Sequence, residues 1–173
     1  MKVELRPFSE KDINKIAYFY NECTEWKLWD APWEDWSYDE KFQLNNRLAR
    51  TNHTPCFEYE IICNNDHIGW VTSYYMTDDF KWNNLNKTSK IAIGIDLCDP
   101  KYRGNGIGKT VYKLYLDYFK SLGVKELYTQ TWSGNNRMIN LALSLGFKEI
   151  NRFENLRIVN GKHYDALTFK IKL

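Results

Sequence analysis

The densest chemical signal in this chain of 173 residues is the stretch Asp99-Pro100-Lys101-Tyr102-Arg103-Gly104-Asn105-Gly106-Ile107-Gly108-Lys109-Thr110. It follows an apolar run, Ile91 to Leu97, and opens a segment with helical spacing. A glycine-rich turn between a strand and a helix leaves main-chain N–H groups uncovered, and the helix N-terminus adds a partial positive charge. Glycines at 104, 106 and 108 lack the Cβ atoms that would hold a ligand away from the backbone. Such a turn is an anion cradle, suited to a phosphate-bearing cofactor. Lys109 and Thr110, in the first helical turn, offer a charge and a hydroxyl. Arg103 is either a phosphate partner or a solvated structural arginine.

Two familiar phosphate motifs fit poorly. A dinucleotide fold needs GxGxxG, and here the third glycine comes one residue early. Gly108-Lys109-Thr110 is a literal GKT, but a P-loop needs four residues between its first glycine and the GK pair. From Gly104 there are three, and the residue at the required place is Arg103.

Asp96 is the first candidate for a general base. It lies in the strand that runs toward the turn, on the face opposite Ile91, Ile93, Ile95 and Leu97. A carboxylate in such a run, with its pKa raised in a cleft, suits proton removal; the plainer alternative is an Asp that fixes the strand by pairing with a neighbour. Four of the seven tryptophans, at 26, 29, 33 and 36, crowd into eleven residues, and six acidic residues with one lysine lie between Glu25 and Glu40. Aromatic faces beside carboxylates suit a cationic amine, so Trp29 and Trp33 are candidate acceptor-binding residues; the alternative is that they pack two helices together. The four cysteines (Cys23, Cys56, Cys63, Cys98) are scattered and read as reduced thiols of a cytoplasmic protein. The three histidines are far apart, and no metal site is expected.

The elements that must position these residues follow from periodicity. Val3 and Leu5 mark a first strand. Ser9 with Asp12 resembles a capping box ahead of a helix with Ile13, Ile16, Ala17 and Tyr20 on one face. Pro32 breaks the Trp-rich segment, and a second helix runs from about Tyr38 to Arg50. Phe57 to Cys63 and Ile68 to Met76 read as a hairpin. After the strand to Leu97 comes a helix with Ile107, Val111, Leu114 and Tyr118 inward, closed by Gly123. Val124 to Trp132 is a strand, and Asn135 to Leu145 a helix with Met138, Ile139, Ala142 and Leu145 inward. Two strands around Asn160-Gly161 end the chain. The order β-α-α-β-β-β-α-β-α-β-β predicts an α/β (α+β) domain over 1–173, with a mixed sheet and helices on both faces.

Composition is that of a soluble globular protein, 43% apolar and 27% charged. A net charge of +2 without a basic run gives no nucleic-acid footprint. No apolar run reaches membrane length, and the start is too polar for a signal peptide.

Arg103-x-x-Gly106-x-Gly108 resembles the pyrophosphate loop of the GNAT superfamily of acetyl-coenzyme A-dependent N-acetyltransferases. IGIDLCDPKYRGNGIG resembles that family's fourth strand and third helix, and SGNNRMINLALSLGF its next helix. KLWDAPW and NGKHYDALTF resemble the branch related to ribosomal-protein N-terminal acetyltransferases. The resemblance runs from about Glu4 to Ile171. It implies a mostly antiparallel central sheet, acetyl-CoA as cofactor, and an amine acceptor: a peptide N-terminus or a small cationic amine. It implies that the loop from Arg103 to Thr110 (Asn105 and Ile107 included) grips the pyrophosphate. By the same resemblance the backbone at Leu97 and Cys98 bonds the pantetheine amides, and Asn135 contacts that arm or serves as a plain helix cap. Trp29 and Trp33 border the acceptor cleft, and family members often form homodimers.

One position departs from the pattern. The helix tyrosine that protonates the departing thiolate in the family is Ala142 here. An alkylammonium must lose about 3.4 pKa units at pH 7, roughly 4.6 kcal/mol, whereas a thiolate lies only about 1.5 units above neutrality, roughly 2 kcal/mol. The base is therefore the larger demand, and another hydroxyl or water can serve as acid. The alternative function is a coenzyme A-binding sensor or interaction module with little turnover.

Overall fold

The apolar alternation of the sequence closes into seven strands, and the segments of helical period into four helices, in the computed structural model, which describes residues 2–173. In chain order these are β1 (Val3–Pro7), α1 (Ile13–Asn21), α2 (Glu40–Thr51), β2 (Glu58–Cys63), β3 (Asp66–Met76), β4 (Lys90–Leu97), α3 (Ile107–Ser121), β5 (Glu126–Trp132), α4 (Asn136–Ser144), β6 (Lys148–Val159) and β7 (Lys162–Lys172). The element order is the expected one. One sheet contains every strand in the order β1-β2-β3-β4-β5-β7-β6, antiparallel throughout except between β4 and β5.

Local signals set the boundaries. The Asp12 side chain accepts from the Ser9 backbone N–H at 2.8 Å, and a two-pronged pair with Arg6 of β1 locks this corner to the sheet. Asp39 caps α2 by accepting from the N–H of Phe42 at 2.7 Å. The Trp-rich segment holds one 3-10 turn, Thr24–Leu28, and no continuous helix.

The sheet separates two cores. Against one face α3 and α4 bury Ile107, Val111, Tyr115, Phe119 and Ala142 over Ile61, Val71, Ile93 and Phe169. Against the other, α1 and α2 pack Ile16, Phe19 and Tyr20, with Leu44 and Leu48, around Phe8, Trp26 and Trp70. The stripe expected on α3 is rotated. Leu114 is 38% exposed at the flank of the buried arc, which runs instead through Tyr112, Tyr115, Leu116 and Phe119. In that arc the ring hydroxyls find partners inside the core: Tyr115 bonds Ser73, and Tyr112 bonds Thr129 at 3.1 Å. Buried tyrosines are tolerated where the hydroxyl is satisfied.

The feature that makes room for a site is the junction of β4 and β5. Their one paired position is Ala92↔Tyr128. The next carbonyl along, that of Ile93, accepts from the hydroxyls of Thr129 at 2.8 Å and Tyr112 at 3.2 Å. Beyond this plug the strands part, and a cavity of about 660 Å³ opens between Gly94–Leu97 and Gln130–Thr131.

Candidate active site

One mouth of the cavity is the glycine turn. Gly104 and Gly106 both have left-handed backbone (φ 77° and 76°), and Gly106 is the N-cap residue of α3. A side chain at either would be strained, so the glycines follow from the turn itself. Gly108 lies between the side chains of Leu97 and Leu141 and lines the cavity, as does Lys109. Ile107 is 1% exposed and its side chain is buried in the core, so only its main chain faces the loop. Asn105 and Thr110 are exposed on the outer side; the Thr110 hydroxyl turns back to the Gly106 carbonyl at 3.3 Å.

The β4 wall supplies main-chain groups. Successive residues of a strand direct their N–H and C=O groups to opposite edges. The Ile93 carbonyl points toward β5, while the N–H of Cys98 donates to Ile68 of the β3 side at 2.9 Å. Ile95 and Leu97 share the direction of Ile93 and present their backbone to the parted edge. Cys98 does not: its side chain is 0% exposed, its amide is bonded to Ile68, and its carbonyl accepts from Cys23 Sγ. Of the two residues expected to offer backbone to a pantetheine arm, Leu97 thus lies at the parted edge and Cys98 turns its amide away from it.

Arg103 and Asn135 are held by the protein itself. Nε of Arg103 donates to the Leu97 carbonyl at 2.8 Å and Nη2 to the Cys98 carbonyl at 3.2 Å, while its Nη1 pairs with Glu25. These bonds make Arg103 a staple across the end of β4, and its side chain also lines the cavity. Glu25 also accepts from Trp29 Nε1 at 2.7 Å and faces Arg137 at 3.3 Å. Asn135 caps α4 through Oδ1, which accepts from the N–H of Met138 at 3.0 Å, and its Nδ2 donates to the Trp29 carbonyl at 2.6 Å. Both ends of the amide are engaged, the helix-cap alternative, although the residue still lines the cavity.

The aromatic cage is filled from within. Trp29 lines the cavity, but the Arg137 guanidinium sits 3.9 Å from its ring centre. Trp33 lies off the cavity lining, against Trp132 and under Arg157 at 4.5 Å. Arg137 and Arg157 thus lie against the two candidate acceptor rings.

What remains for a cation is a pair of carboxylates. Asp96 and Asp30 both line the cavity, and neither forms an ion pair among the described residues. Burial lifts Asp96 well above the ordinary carboxylate range, and the charge of Asp30 lifts it further. Asp30 is exposed at the cleft, where partial desolvation and the charge of Glu34 raise its carboxyl above the ordinary range. Asp30 was not singled out from the sequence, where its one signal is its place among the acidic residues of the Trp-rich segment. Nor were Gln130 and Thr131, polar residues at the end of β5 that become cavity wall only because β5 leaves β4.

Ala142 is 0% exposed and packed in the core, outside the cavity lining. The Tyr112 hydroxyl is buried at the plug, and burial pushes it far up. Thr131 is the one cavity-lining residue that carries a hydroxyl.

Residues 2–148 match the family model described as Acetyltransferase (GNAT) domain. A Bacillus subtilis (strain 168) protein named "Putative phosphinothricin acetyltransferase YwnH" is 24% identical over 162 residues, 93% of each chain. Among solved structures, the ribosomal L7/L12 alpha-N-protein acetyltransferase RimL, in complex with coenzyme A, superposes with a TM-score of 0.79 at 15% identity, covering 100% of this chain and 95% of that one. The yncA protein of Salmonella typhimurium, with its cofactor acetyl-CoA, gives 0.76 at 19% identity, over 99% and 94% of the two chains. At these identities the two structures bear on the fold alone.

Proposed function

The chain belongs to the GNAT acetyltransferase family, and from that premise we propose that it moves an acetyl group from acetyl-CoA directly to a primary amine held beside Asp96 and Asp30. The observation that carries the reading is the cavity itself. Its wall combines a cradle of bared amides at a helix N-terminus with two carboxylates, Asp30 and Asp96, that form no ion pair. The cradle suits a pyrophosphate, and the parted edge of β4, with the backbone of Ile95 and the N–H of Leu97, suits the amides of a pantetheine arm. Acetyl-CoA supplies the thioester carbonyl and a thiol leaving group.

The residues of the chain then divide the remaining work. Asp30 holds the incoming ammonium by charge, and Asp96 takes its proton. The stronger the base, the smaller the deficit against an alkylammonium, so a carboxylate raised by burial is better matched than an exposed one. Lys109 stands at the phosphate end. Thr131 or solvent handles the smaller proton demand at the thiolate. The acceptor is a peptide N-terminus or a small cationic amine. The segments KLWDAPW and NGKHYDALTF favour the ribosomal-protein N-terminal acetyltransferase branch. We place the protein in the cytoplasm, in keeping with four free cysteines, and a homodimer is the assembly to look for.

Release of free thiol from acetyl-CoA, measured against peptides, polyamines, amino acids and aminoglycosides, tests this. We expect amine-dependent release. Asp96→Asn should lower kcat by about 10²–10⁴-fold while calorimetry shows an unchanged dissociation constant for acetyl-CoA. Tight binding with no thiol release for any amine would instead assign a binding module, the role that Ala142 leaves open.

A further inference from the structure

Residues 29–39, between the 3-10 turn and α2, contain neither helix nor strand, so no regular ladder fixes the place of Asp30 at the cavity wall. The N–H groups of Trp29 and Asp30 both donate to the Trp26 carbonyl, at 3.0 and 3.1 Å. The carbonyl of Trp29 must find its partners elsewhere in the molecule.

It finds two. Trp132 Nε1, at the end of β5, donates to it at 2.9 Å, and Asn135 Nδ2, at the start of α4, at 2.6 Å. A carbonyl oxygen has two lone pairs, and both are taken. The Arg137 guanidinium lies 3.9 Å from the centre of the Trp29 ring. One short stretch, 132–137, thus grips both the main chain and the side chain of Trp29. The indole of Trp132 is itself well seated. It is buried, with Trp33 and Tyr164 edge-on to it at 5.9 and 4.9 Å. Its ring lies back over residue 134, where a Cβ would stand 1.8 Å from a ring carbon; glycine occupies the position. The Asn135 N–H closes the turn on the Trp132 carbonyl at 2.9 Å. Ser133 anchors it to β7: its N–H donates to the Asp165 carbonyl and its hydroxyl accepts from the Asp165 N–H, both at 2.9 Å.

The peptide unit that joins Trp29 to Asp30 is therefore held at its oxygen by β5 and α4 and at its N–H by Trp26. That unit is planar and stiff, so fixing both ends fixes where the Asp30 side chain begins. We infer that Trp132 is a positioning residue for Asp30: with Asn135 it sets the plane of the 29–30 peptide, and through it the place of the carboxylate at the cavity. The inference rests on the reading of Asp30 as the group that holds the acceptor ammonium. Trp132 lies outside the cavity lining, so its effect on the acceptor passes through Asp30. A carboxylate set in place before the amine arrives loses less freedom on binding it.

Trp132→Phe keeps a ring against Trp33 and Tyr164 and removes the N–H. Its KM for the amine, measured on the plateau of the pH profile, should rise about two- to tenfold, the worth of one hydrogen bond. Its kcat and the dissociation constant of acetyl-CoA should stay constant. Hydrogen exchange at the Asp30 amide should quicken by about the same factor, while the amides of α1 keep their rates. Trp132→Phe added to Asp30→Asn should raise KM no further. An unchanged Asp30 exchange rate overturns the inference, and so does a full further rise in KM on the Asp30→Asn background. Faster exchange at Asp30, with an amine KM that Asp30→Asn leaves untouched, upholds the positioning role and overturns the reading of Asp30 as the ammonium holder. Should Trp132→Phe fail to fold, Asn135→Asp keeps the capping oxygen and loses the Nδ2 donor; Asp30 exchange should quicken there too, and an unchanged rate overturns the inference equally.

Discussion

Asp30 and Asp96 face one cavity without a cation between them, and each raises the other's cost of ionisation. Removing one charge must therefore ease the ionisation of the other. With Asp30→Asn the Asp96 carboxyl loses the repulsion that burial amplifies, so its pKa falls. Because the base works when deprotonated, the acid limb of kcat/KM should shift to lower pH. KM for the amine should rise at the same time, through the lost charge contact. At this scale the sequence was legible where the backbone dictates the residue. Left-handed turns at 104 and 106 demand glycine, and the pattern can be read without a structure. Arg103 and the tryptophans were not legible in that way. A guanidinium with five donors bonds carbonyls as readily as phosphates, and which it meets depends on where β4 ends. The tryptophan rings looked free because nothing in their own segment reveals Arg137 or Arg157, which arrive from α4 and β6.

At the scale of elements, α4 hangs on one residue. Asn135 caps its first turn and ties it to the Trp29 carbonyl. Loss of an Asn cap costs about 1 kcal/mol, up to ~2 in tight sites, and here a second bond goes with it. Asn135→Ala should lower the melting temperature measured by circular dichroism by several degrees, and Asn135→Asp, which keeps the capping oxygen, should recover part of that loss. A direct role with the pantetheine arm would instead show as weakened acetyl-CoA binding at unchanged stability. Helix and strand order could be read from periodicity because each element carries its own amphipathic stripe. The row of cross-strand partners Arg6, Glu60, Trp70 and Asp96 could not: it joins four residues from three separate segments of chain, and only the register, bulged between Ile61 and Ile62 at Gly69, brings them into line.

For the molecule as a whole, the buried charges of Arg47, Glu58 and Glu60 give folding a pH dependence of definite sign. Glu58 is raised to about 7, chiefly by burial, with Arg47 pulling the other way and Glu60 adding to the rise. A folded-state pKa above the unfolded value means that the native state binds the proton more tightly. That stability is fully present below the unfolded carboxylate pKa, about 4.3, and is lost as pH rises through 7. Asp96 carries the same sign. Urea midpoints should therefore decline from pH 5 to pH 7.5, and Glu58→Gln should flatten that slope.

The solitary rung Ala92↔Tyr128 has a mechanical consequence. It makes the protein two panels on a narrow spine, β1 to β4 on one side and β5, β7 and β6 on the other. A molecule that slips between the free margins and grips both becomes a brace. Saturation at a hundredfold above its dissociation constant would add about 2.7 kcal/mol to the stability of the protein. Amide exchange should then slow most along β4 and β5 near the spine, far from the outer edges β1 and β6. If exchange slowed evenly over all seven strands, the panels would be one rigid board after all.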